Sequence, residues 1–152
     1  MTLLMVLSDT LVESRQLLDY VNAMADLEAR VILLRVSPSG REASLEMSNR
    51  VLEQARHTLQ FADSHREIVS RLEIGDPEEI VPRVAEQESA SVILMPAFGP
   101  EEFPRLQEIG ALARTTAEQV QVPIVISSPE GLEALLKRQR ILTVPADELT
   151  TP

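Results

Sequence analysis

The sequence predicts a single α/β domain in which helices cover both faces of an open, doubly wound sheet of five parallel strands. Short apolar runs alternate along the chain with longer segments whose apolar residues recur at helical spacing. Several of the runs contain no polar residue, which is typical of strands buried on both faces of a parallel sheet. The length of 152 residues suits one domain with a core of its own.

The first half of the chain contains three predicted strands, and a predicted helix follows each of the first two. The strands are Leu3–Leu7, Val31–Val36 and Ile68–Ile74, of which the last partly alternates between apolar and polar residues and is therefore expected to be more exposed. Apolar residues at helical spacing predict an amphipathic helix from Leu11 to Met24 and a longer one over Glu42–Ala62.

A strand-to-helix junction is predicted at Gly75-Asp76-Pro77. Glycine supplies backbone freedom, aspartate caps the helix, and proline is tolerated in the first turn, where its missing N–H costs nothing. The helix is expected to run to about Gln87, although Pro82 weakens its middle or kinks it.

The second half completes the sheet. Ser91–Met95 is the fourth predicted strand, Arg105–Val120 a helix, and Val122–Ile126 the fifth strand. We therefore assign residues 1–128 to the α/β domain.

Residues 129–152 form a predicted C-terminal extension that is partly flexible. It contains a short predicted helix, Glu130–Gln139, an apolar segment, Ile141–Val144, and a polar tail.

Composition excludes several classes of function. The formal charge of −10 opposes binding to nucleic acid, and no basic cluster with aromatic residues offsets it. The absence of cysteine excludes disulfides, thiol catalysis and thiolate metal sites. The apolar runs are too short to insert into a membrane, and Met1–Leu7 carries no basic residue typical of a secretory signal, so we expect a cytoplasmic protein.

Motifs for catalysis and metal binding are also missing. The chain has neither the Gly-x-Ser-x-Gly motif of hydrolases nor a Gly-x-x-x-x-Gly-Lys phosphate loop. Its histidines, His57 and His65, lack the spacing of a metal pair and are expected to face solvent. The sequence therefore favours a binding or regulatory module over an enzyme, with no catalytic residues and no metal.

In such a sheet, ligands bind beyond the carboxyl ends of the strands, where the strand order reverses. The segments to consider there are Ser8–Thr10, Val36–Pro38, Gly75–Pro77 and Pro96–Pro104.

An ordered set of residues in these segments carries a family resemblance. From Leu3 to about Ser127 the chain resembles the universal stress protein family in the order and length of its elements. The matching residues are Asp9, Leu34-Arg35-Val36, Gly75-Asp76-Pro77, Met95 leading to Gly99, Gly110, and Val122–Ile126.

The resemblance implies where a nucleotide would bind. ATP-binding members place adenine near the ends of the first two strands, and a Gly-x-x-Gly, nine residues, then Gly-Ser or Gly-Thr cradle the ribose and phosphates. Carried onto this sequence, the candidate cleft consists of Asp9, Val36, Gly99, Gly110 and Ala111. Asp9 has a second interpretation, because aspartate at this junction commonly caps the following helix.

The phosphate-binding part of this pattern is degenerate. Glu102, next to Glu101, stands at the second glycine, and Ala111 stands where a hydroxyl would contact phosphate. The segment between Gly99 and Gly110 is two residues shorter than the pattern requires. A carboxylate about 4 Å from a phosphate costs roughly 1 kcal/mol in water and about 4 kcal/mol at an effective dielectric near 20. We therefore expect no cofactor, and no ATP bound in the family's usual way.

Two functions remain open. The first is a regulatory or signalling module that acts through a protein partner and through a homodimer, which the resemblance places at the edge strand Pro123–Ile126. The segment Ile141–Val144 would then either cap that edge or pair with its counterpart in the partner chain. The alternative is a sensor of ATP, AMP or cyclic di-AMP, which would also suit a regulatory domain associated with a membrane transporter. A receiver domain is excluded, because the only lysine is Lys137 in the extension.

Overall fold

The structure, a computed structural model, describes residues 1–8, 18, 21–22, 29–62, 66–96, 103–108, 110–127 and 141–144. Its centre is a sheet of six parallel strands in the order β3-β2-β1-β4-β5-β6. The strands are β1 (Thr2–Val6), β2 (Arg30–Ser37), β3 (Glu67–Ile74), β4 (Val92–Pro96), β5 (Ile124–Ser127) and β6 (Ile141–Val144). The five predicted parallel strands are confirmed, and the strand order reverses between β1 and β4.

Helices connect the strands. They are α1 (Glu42–Ala62), α2 (Pro77–Gln87) and α3 (Ala111–Gln119), and a short 3₁₀ helix covers Pro104–Leu106. Leu18 and Val21, in the helix predicted between β1 and β2, are helical and fully buried. The rest of that predicted helix lies outside the described residues, as does the predicted helix Glu130–Gln139. The described helices contain none that is long and apolar enough to cross a lipid bilayer.

Each face of the sheet has a hydrophobic cluster of its own, because side chains alternate along a strand. On β2, Val31 and Leu33 join a cluster with α1, whereas Ile32, Leu34 and Val36 join a cluster with α2 and α3. All five are at most 1% exposed, so the continuous apolar run of the sequence does correspond to a strand buried on both faces.

The predicted helix Arg105–Val120 is wrong in its first half. The 3₁₀ helix ends at Leu106, and α3 begins only at Ala111. Between them Gly110 adopts a left-handed conformation with φ 74°, which interrupts a right-handed helix. The apolar periodicity of Leu106, Leu112 and Ala113 is real, since all three are buried, but it spans two separate elements.

The edge of Pro123–Ile126, where the resemblance places a homodimer, is covered by a further strand in the structure. β5 pairs with β4 on one side and with β6 on the other, in register Ile124↔Ile141 through Ser127↔Val144. Of the two roles considered for Ile141–Val144, the structure shows the first, in which the segment covers the edge of its own chain. A segment of the C-terminal extension therefore extends the sheet of the α/β domain.

Pro82 lies inside α2 and is buried, and a residue of α3 compensates for it. Because proline has no N–H, the carbonyl of Glu78 cannot receive the helical hydrogen bond that residue 82 would otherwise donate. The side-chain amide of Gln119 donates to that carbonyl oxygen at 3.3 Å. This contact helps to dock α3 beside α2, on the face of the sheet that holds Val36.

An ion-pair network joins β2, β3 and the end of α2. Glu88, whose side chain is 19% exposed, accepts from Arg30 at 3.0 Å and from Arg71 at 3.1 Å. Arg71 also contacts Glu73 at 3.2 Å, and Glu73 contacts Arg83 at 3.0 Å. Removing one member of such a partly buried network is costly, because its partners lose part of their charge compensation.

We expect Glu88→Ala to lower the free energy of unfolding by about 1–2 kcal/mol, because two partly buried guanidinium groups lose a shared carboxylate. Urea unfolding followed by circular dichroism measures this change. Glu118→Ala, at an exposed position on α3, is the control. Equal effects of the two substitutions would show that the network contributes nothing specific.

Candidate ligand cleft at the carboxyl ends of the strands

The strand order places the candidate cleft beside the ends of β1, β2 and β4. Pairing of β1 with β2 ends at Val6↔Leu34, and the N–H of Leu7 then donates to the carbonyl of Leu34 at 2.9 Å. β2 continues to Ser37 alongside β3. β1 therefore stops short of β2, which forms a step in the sheet. The step adjoins the point between β1 and β4 where strand order reverses.

The described candidate residues lie on the face of the sheet covered by α2 and α3. Val36 belongs to the hydrophobic cluster of that face, and Ala111 packs against the same cluster. Gly110 is buried and immediately precedes α3. Asp9 and Gly99 lie outside the described residues.

The N-terminus of α3 faces the carboxyl edge of the sheet, because the helix runs antiparallel to the strands it connects. Gly110 is its N-cap residue, and no side chain of the described residues caps it. The N–H of Ala111 donates to the carbonyl of Glu108 at 3.1 Å. The positive end of a helix dipole favours an anionic group nearby, and this end of α3 has that property.

The junction at Gly75-Asp76-Pro77 is the helix start that the sequence predicts. Asp76 is the N-cap of α2, and its Oδ1 accepts from the N–H of Glu78 at 3.0 Å. Gly75 has φ 139°, and its N–H donates to the carbonyl of Ser37 at 3.0 Å. A side chain at position 75 would be strained, since its Cβ would also lie 3.1 Å from Cδ1 of Ile80.

Arg105 ties the 3₁₀ helix to the first turn of α2. Its guanidinium donates to Oδ2 of Asp76 and lies 2.8 Å from Oε1 of Glu78. The hydrogen bond and charge of Asp76, followed by the charge of Glu78, raise the pKa of Arg105. Its charge is therefore already balanced by two carboxylates.

The second arginine of this region is also matched by a carboxylate. Nη2 of Arg114, on α3, lies 3.6 Å from Oε1 of Glu108. Thus both described arginines near this segment, Arg105 and Arg114, contact acidic residues.

Arg35 enters the sequence analysis only as part of the family resemblance, with no role of its own. Arg35 lies near the end of β2 with no exposed surface, and its Nε donates to Oγ of Ser48 on α1 at 3.2 Å. It lies on the opposite face of β2 from Val36. The available signal was a single charged residue inside the apolar run Val31–Val36.

A pocket of about 350 Å³ lies at the other end of the molecule, between the C-terminal ends of α2 and α3. Its lining residues precede β4 and β5, so it opens at the amino ends of the strands, away from the candidate cleft. They are Ala85, Glu86, Ser89, Ala90 and the segment Gln119–Val122.

Acidic and histidine residues are not grouped as metal ligands in the described part of the chain. His57 lies on the exposed side of α1, as the sequence predicts, and His65 lies outside the described residues.

The profile of the Universal stress protein family matches residues 2–128, nearly the whole of the α/β domain. The chain belongs to this family. No curated protein sequence matches the chain significantly.

Solved structures of universal stress proteins share the fold. A universal stress protein from Archaeoglobus fulgidus superposes with a TM-score of 0.67 at 14% identity, covering 83% of this chain and 92% of that chain. The Archaeoglobus fulgidus protein in complex with dAMP gives 0.66 at 15% identity, covering 83% and 96%. A universal stress protein in complex with cAMP gives 0.62 at 17% identity, covering 84% and 96%.

The cap and the ion pair of Asp76 can be separated by two substitutions. Asp76→Ala removes both and is expected to lower the free energy of unfolding by about 1 kcal/mol, whereas Asp76→Asn keeps a capping oxygen and should cost only a few tenths. Thermal and urea unfolding of both variants check the difference. Equal losses would mean that the charge of Asp76, rather than its capping bond, stabilises the junction.

Proposed function

We propose that this universal stress protein is a non-catalytic regulatory module of the cytoplasm that does not hold ATP in the family's usual loop. It acts through self-association and through contacts with other proteins. The observation that carries the proposal is the engagement of Arg105 with Asp76 and Glu78, because Arg105 is the only basic residue of the segment 103–110.

The acidic residues that follow β4 oppose the binding of a triphosphate. Glu101 and Glu102 stand in the segment that would contact phosphates, and Arg105 is balanced by carboxylates of α2. Each carboxylate near a phosphate costs on the order of 1–4 kcal/mol, depending on exposure. A triphosphate brings more negative charge to this place than a monophosphate and is disfavoured accordingly.

The N-terminus of α3 also offers few ligands for a triphosphate. Ala111 offers no hydroxyl to a phosphate, so only backbone N–H groups and the helix dipole remain as anion ligands there. The two-residue shortening between Gly99 and Gly110 further limits how far a loop can wrap around a polyphosphate chain.

A second candidate function is the sensing of an adenine nucleotide with one phosphate per nucleoside, such as AMP or cyclic di-AMP. It is favoured by the N-terminus of α3, which no described side chain caps. Two structural neighbours of this fold are complexes with dAMP and cAMP. In this proposal Asp9 and Val36 hold the adenosine and the α3 N-terminus receives the phosphate. A sensor of this kind would also suit a domain associated with a membrane transporter.

Isothermal titration calorimetry with ATP, AMP and cyclic di-AMP, at physiological salt with Mg²⁺, tests both proposals. We expect no ATP binding in the micromolar range. If AMP or cyclic di-AMP binds, Asp9→Asn should weaken it by about tenfold through loss of one charge-assisted hydrogen bond. Glu53→Gln, at an exposed position on α1, should leave it unchanged. Micromolar ATP binding would refute the main proposal, and silence of all three nucleotides would refute the second.

The charge argument predicts a gain of function. Glu101→Gln with Glu102→Gln should strengthen ATP binding by about tenfold or more, since removing a carboxylate near a phosphate relieves at least about 1 kcal/mol. Glu46→Gln with Glu53→Gln changes the net charge equally on the exposed side of α1 and is the matched control. Equal gains in both double variants would show a general effect of net charge instead of a local one.

A further inference from the structure

The pocket at the amino ends of the strands is separate from the candidate cleft, and the function proposed above assigns it no role. Its volume of about 350 Å³ falls in the range of sites that hold small molecules. It opens between the C-terminal half of α2 and the segment Gln119–Val122, which leads from α3 to β5. Its floor, its rim and its electrostatic surroundings together indicate what chemistry it suits.

The floor of the pocket is aliphatic. Ala85 and Ala90 line it with only 4% and 6% of their surface exposed, and both belong to the hydrophobic cluster beneath α2 and α3. Val120 and Val122, which also line the pocket, pack against the same cluster. The short alanine side chains leave room above them, and a short alkyl chain placed there would be removed from water.

The rim of the pocket offers hydrogen-bond acceptors. Glu86 is exposed, and its carboxylate has no ion pair among the described residues. The side-chain nitrogen of Gln119 donates to the carbonyl oxygens of Glu78 and Thr115, at 3.3 Å each. Oε1 is therefore the part of the Gln119 amide that remains to accept a hydrogen bond. A ligand with several N–H donors would match these oxygens.

Two helices end at this pocket, so the negative ends of their dipoles lie beside it. Neither α2 nor α3 has a basic residue in its last turn. The segments 84–91 and 117–123, which contain all the lining residues, include no lysine, arginine or histidine. The C-terminal end of a helix favours a cation, and these segments supply none of their own.

Arginines of the α2 region are engaged with other carboxylates. Arg83, one turn before Glu86 on α2, pairs with Glu73 at 3.0 Å. Arg71 pairs with Glu88 at 3.1 Å. These ion pairs leave the carboxylate of Glu86 and the two helix ends as the charges that a ligand in the pocket would meet.

We propose that this pocket binds a small organic cation, a guanidinium group carried on a short alkyl chain. The alkyl chain lies on Ala85 and Ala90, and the guanidinium donates to the carboxylate of Glu86 and to Oε1 of Gln119. A guanidinium group is planar, offers up to five N–H donors and is more weakly hydrated than an ammonium group, which suits a site that is half apolar. The pocket and the candidate cleft lie at opposite ends of the strands, so the proposal does not depend on nucleotide binding.

Titration of the ¹⁵N-labelled full chain with N-butylguanidinium, followed through its amide NMR shifts, tests the location. The amides of Ser89, Ala90 and Gln121 should shift and saturate with a dissociation constant on the order of 1 mM, as expected for a ligand of this size. The amides of Gly110 and Ala111, at the candidate cleft, should stay in place. Shifts at the cleft instead of the pocket, or no saturation below about 50 mM, would overturn the proposal.

N-butylurea separates the contribution of charge from that of shape. It has nearly the shape of N-butylguanidinium but no charge. It should bind at least about fivefold more weakly, since one exposed charge pair at about 4 Å contributes this factor in water. Equal affinities would show that only the aliphatic floor binds, and the cation would then be the wrong ligand class.

Removing the carboxylate of the rim tests the residue that holds the cation. Glu86→Gln should weaken the binding of N-butylguanidinium by about fivefold and leave that of N-butylurea unchanged. Glu53→Gln, at an exposed position on α1 and thus on the other face of the sheet, changes the net charge equally and should have no effect on either ligand. An unchanged affinity in Glu86→Gln would contradict the proposal.

Charge changes of both signs at one exposed lining residue give a second test. Gln121→Lys should weaken the binding of N-butylguanidinium and Gln121→Glu should strengthen it, each by about fivefold. Gln54→Lys and Gln54→Glu make the same changes at an exposed position on α1 and are the controls. Circular dichroism confirms that each variant is folded. Equal effects at positions 121 and 54 would reveal a general response to net charge and would overturn the local site.

A blocked Gly-Arg-Gly peptide distinguishes a free molecule from an arginine side chain of a protein. The peptide presents the same guanidinium and alkyl chain but adds a backbone that the pocket has to accommodate at its mouth. We expect it to bind more weakly than N-butylguanidinium. Tighter binding of the peptide would assign the pocket to a protein partner and would overturn the small-molecule proposal.

Discussion

Backbone hydrogen bonding in a parallel sheet buried on both faces is the constraint on which the rest of this structure depends. The N–H and carbonyl groups of β1, β2 and β4 have no access to water, so neighbouring strands must satisfy them. Parallel neighbours require crossover connections, which place a helical layer on each face. The same constraint brings the carboxyl ends of all strands to one edge, where β1 stops short of β2 and where the candidate cleft lies.

Local polar groups in this framework are satisfied mainly by residues distant in sequence. Gln119 of α3 supplies the hydrogen bond that Pro82 cannot donate to Glu78. Arg105 of the 3₁₀ helix balances Asp76 at the start of α2. These contacts join α2, α3 and the segment between them into one layer. They also engage Arg105 with two carboxylates, those of Asp76 and Glu78.

In the proposed function, the phosphate-contacting segment keeps Gly99, Gly110 and a helix N-terminus, but it has Glu102 at the second glycine and Ala111 in place of a hydroxyl-bearing residue. Its arginine, Arg105, contacts two carboxylates. The four residues of β6, none of them charged, cover the edge of β5.

The sequence by itself determined the order and type of the strands, the bounds of α1 and the cap at Asp76, because these depend on local periodicity and capping chemistry. It also located the candidate cleft, since carboxyl ends of parallel strands share an edge. Only the tertiary structure decided that Gly110 divides the predicted helix, because apolar spacing continues across the break. Only it decided that β6 joins β5 and that Arg105 contacts Asp76, because pairings between residues distant in sequence leave no periodic signal in the chain.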